Sequence, residues 1–142
     1  MQGINIFSGE AGLGGALTNP TELTRRKGGI SKSYPVRYNG REFPDAESAY
    51  HALKTEDATA NDRLMVDLIE AKFRQHEELW QEVASRGGST FLAMCSHFTN
   101  ARSDGGGWEG QGLQSRFIRN LVQGYDRLSA AHASEGGQAL LF

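Results

Sequence analysis

The chain has 142 residues, 38% of them hydrophobic and 23% charged, with a formal net charge of −2. That is enough for one domain with a real core, while no apolar run approaches the ~20 residues of a membrane span and no basic-then-apolar signal peptide opens the chain. The single cysteine, Cys95, excludes an internal disulfide, and together these features make the cytoplasm the expected location.

In chain order, Ile4 to Phe7 is a β-prone piece expected to enter a sheet, and residues 8–35, with their glycines and prolines, read as irregular. Pro35 to Phe43 reads as a hairpin turned at Asn39-Gly40, the strongest short turn signal. A helix opens near Asp45. Its apolar side holds Ala46, Ala49 and Leu53, and its polar side Glu47, Tyr50, His51 and Lys54. A longer helical pattern, capped at Asn61-Asp62, carries Met65, Leu68, Ile69, Phe73, Trp80 and Val83 until Gly87-Gly88 stops it. His76 lies on that stripe and reads as a core or helix-junction residue. The apolar run Phe91 to Cys95 has strand length and is expected to be a central strand. A glycine-rich loop from about Ser103 to Gln114 leads to a final amphipathic helix. The expected fold is therefore α+β: one domain over residues 1–128, a small sheet or hairpin packed with several helices. Residues 129–142 form a tail that is either loose or docks its last apolar residues.

Several chemistries have no support in these spacings. The four histidines form no metal-ligand pattern, and neither glycine cluster matches a P-loop or a dinucleotide fingerprint. Cys95, inside an apolar run, reads as a small hydrophobe. Between Thr24 and Arg41 lie six bases (Arg25, Arg26, Lys27, Lys32, Arg37, Arg41) and no acid, which leaves −8 on the rest once those six are taken from −2. Such a patch suits a phosphate-bearing ligand or a nucleic-acid strand, or is simply a solvated loop. Carboxylate chemistry remains. Glu47 and Lys54 stand two turns apart, roughly 10 Å, on one helix face, though dipole-favoured capping explains the same pair. Asp104 precedes three glycines and Trp108, an acid and a stacking ring on a pliant backbone. Asn19, in the other glycine-containing loop, either reads a ribose or base edge or closes an Asx-turn.

The order of these pieces resembles the NADAR (YbiA-like) family of N-glycosidases. The resemblance rests on Phe7-Ser8, Leu17-Thr18-Asn19, Tyr38-Asn39-Gly40, the segment Pro44 to Lys54, Ala71 to Leu79, Phe91-Leu92-Ala93, Asp104 to Gly110, and Ser115-Arg116-Phe117. It runs collinearly from about residue 4 to 128. This chain departs from the family at Ser48 and His51, at the inserted Glu109 of Trp108-Glu109-Gly110, and in a shortened stretch between Lys54 and Ala71.

The resemblance implies hydrolysis of an N-glycosidic bond to ribose, in ADP-ribose attached to guanine or in a ribose-phosphate intermediate, with neither metal nor organic cofactor. It makes Glu47, Lys54 and Asp104 the expected catalytic groups: Glu47 to stabilise the oxocarbenium-like centre, Lys54 as an alternative Schiff-base nucleophile, and Asp104 as a second acid/base. Ser8, Asn19, Tyr50, Trp108 and Arg116 are the expected substrate-binding residues, and the Asp104–Trp108 loop is expected to close over the Glu47 helix. ADP-ribosylated DNA is one candidate substrate, and no membrane partner is implied. Two other classes compete: a nucleotide-binding module on the same scaffold, and a nucleic-acid-binding accessory protein using the basic stretch.

Overall fold

The computed structural model describes residues 2–99 and 106–140. They form a compact α+β fold: α1 (Gly12–Ala16), α2 (Thr21–Arg26), β1 (Val36–Tyr38), β2 (Arg41–Phe43), α3 (Ala46–Leu53), α4 (Ala58–Gln75), α5 (Glu77–Ser85), α6 (Ser89–Leu92), β3 (Ser96–His97), β4 (Gly110–Gln111), a 3-10 turn (Gly112–Gln114) and α7 (Arg116–Leu140). Two small antiparallel sheets, β1–β2 and β3–β4, sit against the helices. Among the described residues no helix is long and apolar enough to cross a membrane.

The hairpin forms as its turn dictates. Asn39 and Gly40 both take positive φ, 53° and 76°, and bring Tyr38 opposite Arg41 and Val36 opposite Phe43. The outer edge of β1 is covered by a side chain. Arg37 N–H donates to Gln75 Oε1 at 2.7 Å, and Gln75 Nε2 donates to Arg37 O at 2.8 Å. The amide thus completes the ladder where an open edge would invite pairing. Val36 and Phe43 bury against Ala46, Ala49 and Leu68, which locks α3 and α4 to the hairpin.

The larger core gathers Ile6, Leu17, Ile69, Phe73, Phe91, Leu92, Ile118, Leu121 and Leu128. α4 and α7 approach closely at Gly124, where an added Cβ would stand 2.6 Å from Ile69 Cγ2. The break expected at His76 is present: the residue caps α4 and opens α5. Its Nε2 lies 2.7 Å from Pro35 O, so that nitrogen carries the proton and donates.

Several expectations need correction. Residues 8–35 are not irregular throughout, since α1 and α2 lie within them. Gly14 and Gly15 let α1 approach the backbone, where a Cβ would meet Asn5 O at 2.5 Å and Glu10 O at 2.3 Å. These glycines serve close packing. Phe91 to Cys95 is not a central strand but α6 and a following turn. Phe91, Leu92 and Cys95 are buried while Met94 is 37% exposed, an i, i+1, i+4 pattern that belongs to a helix. Strand β3 begins just after it. The cap of α4 is Asp57, whose Oδ1 accepts from Thr59 and Ala60 N–H; Asn61 lies inside the helix and folds back onto Thr55. Ile4 to Phe7 forms no strand of its own; its backbone meets β3 in a single parallel bridge between Asn5 and Ser96. The boundary expected at residue 128 falls inside α7, which runs on to Leu140.

Asp45 joins two helix starts. It is 3% exposed; Oδ1 accepts Ser48 N–H at 2.9 Å, capping α3, and Oδ2 accepts Glu22 N–H at 3.0 Å in the first turn of α2. Asp45→Ala removes both bonds. The expected cost is about 2 kcal/mol, twice a typical cap, read from the shift in urea midpoint at unchanged slope.

Candidate active site

The hydrogen bonds of Asp45 set α3 beside the α1–α2 loop, and a cleft of about 380 Å³ opens between them. Five short pieces line it: Phe7 and Ser8; Thr18, Asn19 and Pro20; Glu47, Tyr50, His51 and Lys54 of α3 and its C-cap; His97 and Thr99; and Trp108. Met65 and Phe117 contribute apolar floor.

Of the expected site residues, Ser8, Asn19, Glu47, Tyr50, Lys54 and Trp108 therefore meet in one cleft. Arg116 does not line it. Its guanidinium lies behind Trp108, 4.0 Å from the ring centroid, and grips Asp62 Oδ1 through Nε at 2.8 Å and Nη2 at 2.7 Å. Asp104 lies outside the described residues. Trp108 reaches the α3 face as expected, edge-on to Tyr50 with centroids 6.3 Å apart.

Glu47 is the acid of the cleft. Its side chain keeps 37% of its surface open there. Burial pushes its carboxyl above the ordinary glutamate value; Asp45 adds to that rise, while His51, Lys54 and His97 oppose it. His51 Nε2 stands 3.7 Å from Glu47 Oε2. The Glu47 N–H donates to Asn19 O at 3.3 Å, which ties the acid to the loop that forms the opposite wall.

Asn19 is 5% exposed; its Nδ2 points at Met65 Sδ, 2.9 Å away, and its Oδ1 has no hydrogen-bond partner among the described residues. A buried acceptor without a donor costs stability unless a ligand supplies one. The backbone of this loop is pinned from below. Lys72, 4% exposed, donates to Ala16 O at 2.6 Å and Thr18 O at 2.7 Å. Burial lowers its pKa to about 7, with Asp45 pulling the other way. Lys54 is exposed at the end of α3, its Nζ 5.9 Å from the Tyr50 ring centroid.

His97 is the residue that spacing missed. Its Nδ1 lies 2.7 Å from Ile6 O, and a carbonyl only accepts, so Nδ1 carries the hydrogen. In the neutral ring Nε2 is then the bare acceptor, and it has no protein partner among the described residues. Nothing local could have found it: its partner is 91 residues away in sequence. Glu109, the residue inserted relative to the resembled family, takes the Thr99 N–H and the Thr99 hydroxyl, the latter at 2.6 Å.

The basic stretch is not one patch. Arg25 pairs with Glu22, Lys32 with Glu78, and Arg41 lies over Phe43. Lys27 does not line the cleft but reaches two residues that do, 3.4 Å from Ser8 Oγ and 5.3 Å from the Phe7 ring centroid. Compared with protein-family models, curated proteins and solved structures, the chain matches none.

Proposed function

We propose that this cleft is the reaction centre of a NADAR (YbiA-like) N-glycosidase that hydrolyses the bond between ribose and a base, with guanine carrying ADP-ribose as the first substrate to test. The observation that carries the reading is Glu47. It is a carboxylate held back from ionising by burial, in a cleft walled by Tyr50 and Trp108 and facing a histidine with a fixed tautomer.

As the C–N bond lengthens, positive charge develops on the ribose carbon and ring oxygen. A partly desolvated carboxylate beside that charge stabilises it far more than one in bulk water. Nε2 of His97 accepts a proton from the attacking water, whose oxygen bonds to the ribose carbon. The same proton satisfies the departing nitrogen, so the histidine ends neutral and no redox partner or metal is consumed. Trp108 and Tyr50 supply faces for the base, Asn19 Oδ1 takes a donor from a sugar hydroxyl or base amine, and Ser8 with Lys27 meets phosphate oxygens. Lys54 adds a cation at the rim. As a Schiff-base nucleophile it would need the bound substrate to cover and desolvate it. The reaction is that of a cytoplasmic hydrolase without cofactor.

Incubation with DNA carrying ADP-ribosylated guanine should release ADP-ribose and leave unmodified guanine, read by chromatography. No release, together with a rise in Tm on adding free ADP-ribose, would make the cleft a binding module instead. His97→Asn keeps a donor for Ile6 O and removes the base. It is expected to lower kcat about 10²-fold with little change in ADP-ribose affinity.

A further inference from the structure

A second depression, about 230 Å³, lies between α4 and α7 on the far side of Trp108. Four arginines line it, Arg63 from α4 and Arg116, Arg119 and Arg127 from α7, against one lining carboxylate, Asp62. Its floor holds Asn120, 5% exposed, whose Nδ2 has no hydrogen-bond partner among the described residues. A buried donor left unpaired at the base of an arginine groove calls for an anionic or acceptor ligand.

The committed charges can be subtracted. Asp62 holds Arg116, and Asp67 and Glu70 face Arg127 at 2.6 and 3.7 Å. Arg63 has no ion pair among the described residues. Arg119 spends one N–H on Leu113 O at 2.8 Å, and both side chains are exposed. Arg63 and Arg119 are therefore the groove's cations without a carboxylate partner among the described residues, and Arg116 is the partition between groove and cleft, stacked on the ring that lines the cleft.

We propose that this groove binds the phosphodiester backbone of a nucleic-acid strand whose modified base occupies the cleft. The inference rests on the glycosidase reading and deepens it, giving the backbone of the DNA substrate tested there a surface of its own outside the cleft. Extent favours a strand over the substrate's own diphosphate. From Arg116 to Arg127 the helix advances about 16 Å, whereas a DNA strand presents a phosphate about every 3.4 Å of axis. Guanidinium forks suit bidentate phosphate contacts, and the uncharged donors of Thr59, Asn120 and Gln123 fill the spaces between them.

The test is fluorescence anisotropy with an unmodified single-stranded DNA oligonucleotide over a range of salt, for the wild type and the Arg63→Glu/Arg119→Glu double variant. Retained circular dichroism and an unchanged Tm response to free ADP-ribose are expected for the variant. Affinity should fall at least tenfold. The slope of log K against log salt should shrink by about 1.4, two contacts at about 0.7 each. Arg63→Gln alone, which leaves the Leu113 contact intact, should give about half that change in slope. Three results would overturn the proposal: no oligonucleotide binding by the wild type, binding indifferent to both arginines, or equal loss of the ADP-ribose response. The last would assign the groove to the substrate's diphosphate. Arginine-dependent oligonucleotide binding without any glycosidase turnover would instead sink the reaction proposed above and leave the groove standing.

Discussion

Replacing Glu47 by glutamine is expected to cut turnover about 10³-fold, ~4 kcal/mol of barrier, while ADP-ribose still binds. Glutamine keeps the shape and loses the charge, so the loss falls on kcat. The same variant should be more stable than the wild type at neutral pH. The sign follows from the raised pKa. The folded protein holds the Glu47 proton to a higher pH than the unfolded chain does. The associated stability is complete below the ordinary glutamate value and is lost as pH rises through the folded value. At pH 7 the ionised carboxylate therefore works against the fold, and Glu47→Gln relieves it. Near pH 4 the two proteins should melt together. Turnover runs the other way, needing the carboxylate ionised, so the acid limb of the kcat profile should lie above the usual glutamate range. Loss of activity with gain of stability separates a functional acid from a capping one, since removing a dipole-favoured surface charge would lower Tm.

Lys72→Met is expected to give the largest loss of stability, about 3 kcal/mol. Methionine fills the space but donates nothing, so the carbonyls of Ala16 and Thr18 are left buried and unpaired. The pH dependence gives the lysine away. With a folded pKa of about 7 against 10.5 unfolded, the unfolded chain binds more protons between those values. The Lys72 contribution to stability therefore grows as pH rises from 7 toward 10. A neutral amine has two N–H groups, and two carbonyls take them. Urea midpoints of the wild type should climb across that range, and those of Lys72→Met should lose that increment. Because Lys72 shapes the loop that carries Asn19, the variant should also bind ADP-ribose more weakly.

What the sequence made legible was local. Asn39-Gly40 demands its hairpin through two positive φ values, and Asp45 announces α3 through a cap three residues from Ser48 N–H. The shared face of Glu47, Tyr50 and Lys54 follows from the helical period alone, and all three reach the cleft. Ser8, Asn19 and Trp108 came from the order of short motifs, which no period could supply. The misreadings share a cause in tertiary contacts. A five-residue apolar run fits strand or helix, and only the burial of Phe91, Leu92 and Cys95 on one side decides it. α1 is built on glycines, and α2 follows Pro20. α1 stands because Asn5 and Glu10 approach Gly14 and Gly15, and Lys72 takes the carbonyls of Ala16 at its end and of Thr18 in the loop that leads to α2. Asn61 imitates a cap, yet Asp57 accepts the first-turn N–H groups of α4. His97 depends on Ile6, and the arginine groove on residues from α4 and α7 that meet only after folding.

The central claim is that the ribose carbon reacts at Glu47 in this cleft. A crystal structure of Glu47→Gln with an oligonucleotide carrying ADP-ribosylated guanine tests it most directly. The intact substrate should lie with its glycosidic carbon beside the residue 47 amide, its base against Trp108, a donor on Asn19 Oδ1 and a water on His97 Nε2. A ribose bound away from residue 47, or an empty cleft beside an occupied arginine groove, would contradict it.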